Sequence, residues 1–167
     1  MNVVLVVGNP KLHSRTRQAA ELVARRLTGE APADCVELAE LGPALLTWGD
    51  PAVEAAKQRV LGASLAIVAS PTFKATYTGL LKCFLDQFDA GAMAGTPAVA
   101  LMVGGSERHA LAGEHMLKPV LTEIGCSCPA PALFLLEADW DRSPVLEAWL
   151  PRAAAAHGLD LPAPPPA

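Results

Sequence analysis

Apolar residues along this chain fall into two kinds of run. Short, unbroken and mostly apolar stretches occur at Asn2–Val7 (NVVLVV), Ser64–Ala69 (SLAIVA), Pro97–Val103 (PAVALMV) and Ala130–Leu136 (APALFLL). Cys35-Val36-Glu37-Leu38 is a weaker fifth. A strand with one wet face alternates apolar and polar positions. Runs without alternation suit parallel strands covered on both faces. Between these runs the apolar positions recur at helical spacing. Thr16–Leu27 places Ala19, Ala20, Val23 and Leu27 on one face. Pro51–Leu61 opens on a proline, which suits a first helical turn, and aligns Val53, Ala56 and Val60. Thr78–Phe88 aligns Leu81, Phe84, Leu85 and Phe88. His109–Ile124 reads as one helix with Leu111, His115, Leu117 or Val120, and Ile124 inward and a kink at Pro119. Ser143–Ala156 closes the series, with Pro144 near its start.

Strands that alternate with helices predict an α/β fold. Right-handed crossovers then place helices on both faces of a parallel sheet. Five strands in this length fit a flavodoxin-like three-layer sandwich with strand order 2-1-3-4-5. Residues 1–158 read as one such domain, and the Pro-rich residues 159–167 as a disordered tail. Ligands of such sheets bind beyond the carboxyl ends of the strands, near the switch point between strands 1 and 3. The loops after Val7, Ala69 and Val103 are therefore the ones that carry function.

Composition narrows the class. Hydrophobic residues make up 51% of the 167 and charged residues 18%, which excludes a disordered chain. A formal net charge of −4 argues against non-specific binding of nucleic acid or of an anionic membrane. No apolar run reaches the roughly 18 residues of a membrane span, and Met1–Val7 is too short for a signal peptide, so a cytoplasmic protein is expected. The cysteines at 35, 83, 126 and 128 lack the spacing of a zinc site and are expected as reduced thiols. His109 and His115 stand six apart, which excludes a helical metal pair, so His115 reads as a packing residue.

The first of the three loops gathers cations and hydroxyls at a helix start. Lys11 and Arg15 bring charge, while Ser14 and Thr16 bring hydroxyls to the positive end of a helix dipole. That is the chemistry of a phosphate site, or of an ordinary Ser14 cap with two solvated bases. The loop lacks G-x-G-x-x-G and G-x-x-x-x-G-K-[ST], so neither a dinucleotide nor a triphosphate fingerprint is present. Asn9 and Ser70 stand where a magnesium-dependent receiver domain needs acids. The second loop, Ser70 to Lys82 (SPTFKATYTGLLK), opens on a stiff Ser-Pro pair that can aim backbone groups at the edge of a flat ring. Phe73 and Tyr77 there serve a ring or serve packing.

Together these stretches resemble the NADPH-dependent FMN reductase family, and within it the sulfonate-utilisation reductases that serve two-component flavin monooxygenases. That group typically carries Gly-Ser-Pro-Arg…Ser-Arg-Ser after strand 1. Gly8-Asn9-Pro10-Lys11 and Ser14-Arg15-Thr16 match it, with Asn9 for Ser and Lys11 for Arg. It also carries Thr-Pro-Val-Tyr-Lys-Ala-Ala-Tyr-Ser-Gly-x-Leu-Lys, which Ser70–Lys82 matches with conservative changes at Ser70, Thr72 and Phe73, the last in place of Tyr. Gly104-Gly105-Ser106 and the following His109-Ala110-Leu111 resemble its third flavin loop. The resemblance implies that Asn9, Lys11, Ser14, Arg15 and Thr16 hold the FMN phosphate. It implies that Pro71, Thr72, Phe73 and Lys74 frame the isoalloxazine ring, and that Gly104, Gly105 and Ser106 face its other edge. It places Tyr77 in a π-helical insertion at a subunit interface.

The implied activity is hydride transfer from NADPH, or NADH, to FMN. Reduced FMN would then pass to a partner monooxygenase. The flavin carries the redox chemistry, so no side chain is expected as acid, base or nucleophile. A homodimer or homotetramer is implied as well. Two other readings fit the same loops: an FMN-bound NAD(P)H:quinone or azo-type reductase, and a flavodoxin-like FMN electron carrier.

Overall fold

The computed structural model describes residues 1–162. Five parallel strands form one sheet: β1 (Val3–Val7), β2 (Asp34–Glu37), β3 (Leu65–Pro71), β4 (Ala98–Gly104) and β5 (Leu133–Leu136), in the order β2-β1-β3-β4-β5. This is the expected order. The unbroken apolar runs have a direct cause. Val3, Leu5 and Val7 of β1 point into one core with α1 (Arg15–Thr28) and α6 (Pro144–His157), while Val4 and Val6 point into the other. That second core holds α3 (Pro51–Leu61), α4 (Gly79–Leu85) and α5 (Lys118–Glu123). Both faces of the central strands are dry, so a polar residue along them needs internal partners, as Ser70 near the end of β3 has in Thr78 N–H and the Pro71 carbonyl.

Each long helix starts where its sequence supplies a cap. Ser14 accepts from Arg17 N at 3.3 Å, and Asp50 accepts from Ala52 N at 2.9 Å. Thr78 accepts from Leu81 N at 3.1 Å, and Ser143 accepts from Val145 N at 3.3 Å. A side-chain cap of this kind contributes about 1 kcal/mol. Two elements had no forecast: the short α2 (Leu38–Leu41) and a 3-10 turn over Gly42–Leu46.

The stretch 109–124 differs from its expected single kinked helix. It contains a 3-10 turn at Glu107–His109, a π-helical turn at Gly113–Leu117 and then α5. Pro119 has no N–H, so an α-helical ladder would leave the carbonyl of His115 without a donor. The wider turn instead has Lys118 N–H reach five residues back to the carbonyl of Gly113. Leu111 and His115 are both exposed, which corrects their inward placement. Tyr77 lies in the loop before the Thr78 cap, half-buried and outside any helix, so the π-turn of this chain is not at Tyr77.

Of the tail expected over 159–167, residues 163–167 lie outside the described residues. Leu159 donates its N–H to the Ala154 carbonyl at 2.9 Å and packs against the α1–α6 core. No described helix is long and apolar enough to cross a membrane. The four cysteines are free thiols. Burial pushes the Cys126 thiol up to about 12, so it is not a thiolate near neutral pH. Among the described residues, no group of three His, Cys, Asp or Glu side chains is placed to hold a metal ion.

Candidate functional site

The carboxyl ends of β1, β3 and β4 open into one cleft of about 640 Å³. Asn9, Lys11, Ser14, Arg15 and Thr16 line one side of it, Pro71, Thr72 and Phe73 another, and Gly104 and Gly105 a third. Lys74 and Ser106, the other two candidates, do not line it. Lys74 is exposed at the tip of the second loop, and Ser106 caps the 3-10 turn by accepting from Arg108 N at 3.3 Å.

The first loop is built around its own hydrogen bonds. Asn9 Oδ1 accepts from Lys11 N at 2.9 Å, and Asn9 Nδ2 donates to Thr16 Oγ1 at 3.0 Å. Ser14 and Thr16 are buried, while Lys11 and Arg15 are exposed. The N–H groups of Arg15 and Thr16 occupy the first two positions of α1, where a helix supplies no acceptor for them. They leave donors and the positive dipole end directed at the cleft. His13 also lines this side, with a left-handed φ of 51°. Its N–H donates to Glu37 Oε1 at 2.9 Å, and Arg17 Nη1 donates to Glu37 Oε2 at 2.6 Å. Glu37 ends β2 with its side chain only 3% exposed, so a buried carboxylate anchors the loop from beneath.

The second loop is a tight hairpin. Phe73 and Thr76 exchange backbone hydrogen bonds at 2.9 and 3.3 Å, and Lys74 and Ala75 between them have φ of 51° and 68°. Two positive φ values at the centre of a two-residue turn describe type I′, which favours Asn and Gly. Lys and Ala fill it at a cost, and the turn holds Phe73 half-exposed at the rim of the cleft. Replacing Ala75 with glycine is expected to raise stability by up to about 1 kcal/mol. Thermal unfolding of the variant beside the wild type checks this.

The third loop leaves β4 through Gly104. A Cβ there would stand 2.8 Å from Phe134 Cζ and 2.9 Å from Thr72 Oγ1. Thr72 Oγ1 is itself buried and has no hydrogen-bond partner among the described residues. Beyond β5, Glu137 lines the cleft and accepts from Arg15 Nη1 at 2.8 Å. Pro10, His13, Gln18, Val103 and Glu137 also line the cleft and were not among the candidates. The carboxyl-end rule that selected three loops also points to the end of β5, where Glu137 lies. Trp48 is 73% exposed and does not line the cleft.

Residues 1–141 match the family described as NADPH-dependent FMN reductase. The chain belongs to that family. It is 34% identical over 147 residues to the NADH-dependent FMN reductase SfnF of Pseudomonas fluorescens, covering 84% of this chain and 79% of that one. It is 31% identical over 128 residues to the FMN reductase (NADPH) of Escherichia coli, covering 74% and 67%. Among solved structures, the apo form of the NADH:FMN oxidoreductase EmoB superposes with a TM-score of 0.83 at 30% identity, over 98% of this chain and 91% of that one. An archaeal flavodoxin shares the fold, with a TM-score of 0.61 at 15% identity.

The cleft of this FMN reductase family member fits a flavin mononucleotide in its donor set. Free N–H groups, two hydroxyls and two cations gather at one end, which suits a phosphate dianion. At the other end Gly104, packed against Phe134 and Thr72 too closely for any side chain, brings bare backbone to the cleft wall, and an unpartnered hydroxyl on Thr72 lies beside it. A flat ring with polar edges suits such a cradle.

Proposed function

We propose that this protein is an NAD(P)H-dependent FMN reductase that passes hydride from the nicotinamide to FMN and hands the reduced flavin to a flavin-dependent monooxygenase. The observation that carries this is the meeting of the α1 N-terminus with the Pro71–Phe73 and Gly104–Gly105 loops around a single cleft. FMN, when bound, supplies the hydride-accepting chemistry. The protein's part is to bind and orient. Ser14, Arg15, Thr16 and Lys11 would hold the phosphate. Thr72, Gly104 and Gly105 would present backbone and hydroxyl groups to the ring, and Phe73 would shield the rim from water. A flavin that leaves once reduced fits a site whose cations, Lys11 and Arg15, are solvent-exposed, because exposed charges hold a phosphate less tightly than buried ones.

The test is oxidation of NADPH and of NADH by the purified protein, with FMN varied from zero. Oxidation that depends on FMN and saturates with it is the expected outcome. Oxidation that needs an added quinone, by protein already carrying flavin, would replace this reading with a quinone-type reductase. FMN binding without any loss of nicotinamide absorbance would make the protein an electron carrier.

A further inference from the structure

We propose that Glu137 is a built-in competitor for Arg15 that weakens the hold on the FMN phosphate and so favours flavin release. The proposal rests on the reading of the cleft as a flavin site. Glu137 is the one acidic side chain lining the cleft among the described residues, opposite Lys11 and Arg15. Its place is fixed by the sheet. Leu136 pairs with Gly104 in the β4–β5 register, and the Glu137 N–H then donates to the Gly104 carbonyl at 2.9 Å. From that anchor its carboxylate reaches Arg15 Nη1, 122 residues away in sequence, at 2.8 Å. The pair therefore spans the cleft from the first residue of α1 to the end of β5.

A carboxylate and a phosphate monoester seek the same partner. The phosphate carries close to two negative charges near neutral pH. Where it takes the Arg15 guanidinium, it displaces one carboxylate contact and brings its charge next to Glu137. Both side chains are more than half exposed, at 60% and 52%, so their ion pair is weak enough to exchange. Glu137 then acts only on ligands that carry the phosphate. Its backbone is anchored on Gly104, but its carboxylate meets Arg15 at the phosphate end of the site, and it forms no hydrogen bond with Thr72 or Phe73 in this structure.

The test is an equilibrium titration of the full chain with FMN and with riboflavin, followed by flavin fluorescence, for wild type and Glu137→Gln. The glutamine keeps size and shape at a half-exposed position, and a matched melting temperature verifies folding. Glu137→Gln is expected to bind FMN about three- to tenfold more tightly, with riboflavin affinity unchanged. Added salt should shrink the difference. In an Arg15→Gln background the same Glu137→Gln change should have a smaller effect on FMN. Equal tightening of both flavins would overturn the proposal, because the effect would then be one of cavity shape. Unchanged or weaker FMN binding would overturn it too, the latter making Glu137 a residue that positions Arg15. A wild type that binds neither flavin would reject the flavin-site reading and this proposal with it.

Discussion

Replacing Gly8 with alanine is expected to cost about 2 kcal/mol of stability, the usual penalty of an overpacked core, and to weaken FMN binding severalfold. A Cβ at Gly8 would stand 2.6 Å from the Cβ of Leu81, with the Leu81 Cγ and Cδ2 at 3.3 Å. The obstacle is a Cβ fixed to the backbone of α4, so no rotamer change relieves it. The helix itself has to move away from β1. That movement pulls on a chain of buried hydrogen bonds. Thr78 Oγ1 donates to the Gly8 carbonyl at 2.6 Å, Thr78 N–H donates to Ser70 Oγ at 3.0 Å, and Ser70 Oγ donates to the Pro71 carbonyl at 2.9 Å. The chain ties the start of the first cleft loop to the start of the second. Shifting α4 therefore changes the spacing of the two sides of the cleft as well as the core. Gly79→Ala is the control, since a Cβ there meets nothing within 4 Å. Urea unfolding and FMN titration of the two variants check the expectation. A Gly8→Ala protein as stable as Gly79→Ala would show that α4 does not bear on β1 as tightly as the distance implies.

The same hydrogen-bond chain explains why these loops were legible in sequence. Strands buried on both faces leave unbroken apolar runs, and the residues that end them must turn the chain at the sheet edge. Gly8, Ser70-Pro71 and Gly104-Gly105 are such residues, and Pro71, Gly104 and Gly105 themselves line the cleft. The Ser14 cap was legible for a related reason, since it satisfies a donor within three residues of itself, and the helical stretches opening at Thr78 and Ser143 start on residues that do the same. What escaped was set by distance or by competition. Glu37 looked like a polar residue in a weak strand, but it is a buried anchor whose partners His13 and Arg17 lie 24 and 20 residues away. Glu137 opens the polar stretch Glu137-Ala138-Asp139, which reads as a solvated turn, and only the β4–β5 register brings it to Arg15. Helical spacing over 109–124 counted Leu111 as inward. The π-turn before Pro119 shifts the phase of that stretch, and Leu111 ends 66% exposed. Periodicity assumes a constant number of residues per turn, and it fails where a proline forces that number to change.

Arg17→Met is expected to destabilise the protein by about 3 kcal/mol, because it strands a buried carboxylate. The Glu37 side chain is 3% exposed, and among the described residues Arg17 is the one Lys or Arg paired with it, the exposed His13 ring lying 3.7 Å away. Hydrogen bonds to Glu21 first, and to Glu37 next, hold the Arg17 guanidinium above its ordinary pKa, so it stays charged at every pH at which the protein folds. Methionine keeps much of the packing of the arginine stem but offers no donor. Glu37 would then be left with one backbone donor, the N–H of His13 at 2.9 Å. That N–H helps to hold His13 in its left-handed conformation on the wall of the cleft. The loss is therefore expected in the KM for FMN as well as in stability, with a smaller effect on kcat. Adding Glu37→Gln separates the causes. Glutamine removes the stranded charge but keeps an acceptor for the His13 N–H, so the double variant should recover more than half of the lost stability. If Arg17→Met loses less than about 0.5 kcal/mol, the ion pair is no stronger than an ordinary surface pair and the loop is held by the Asn9 and Ser14 hydrogen bonds alone. If the double variant recovers stability but not FMN affinity, the guanidinium itself shapes the phosphate end of the cleft, through its 3.1 Å contact with His13 Nδ1.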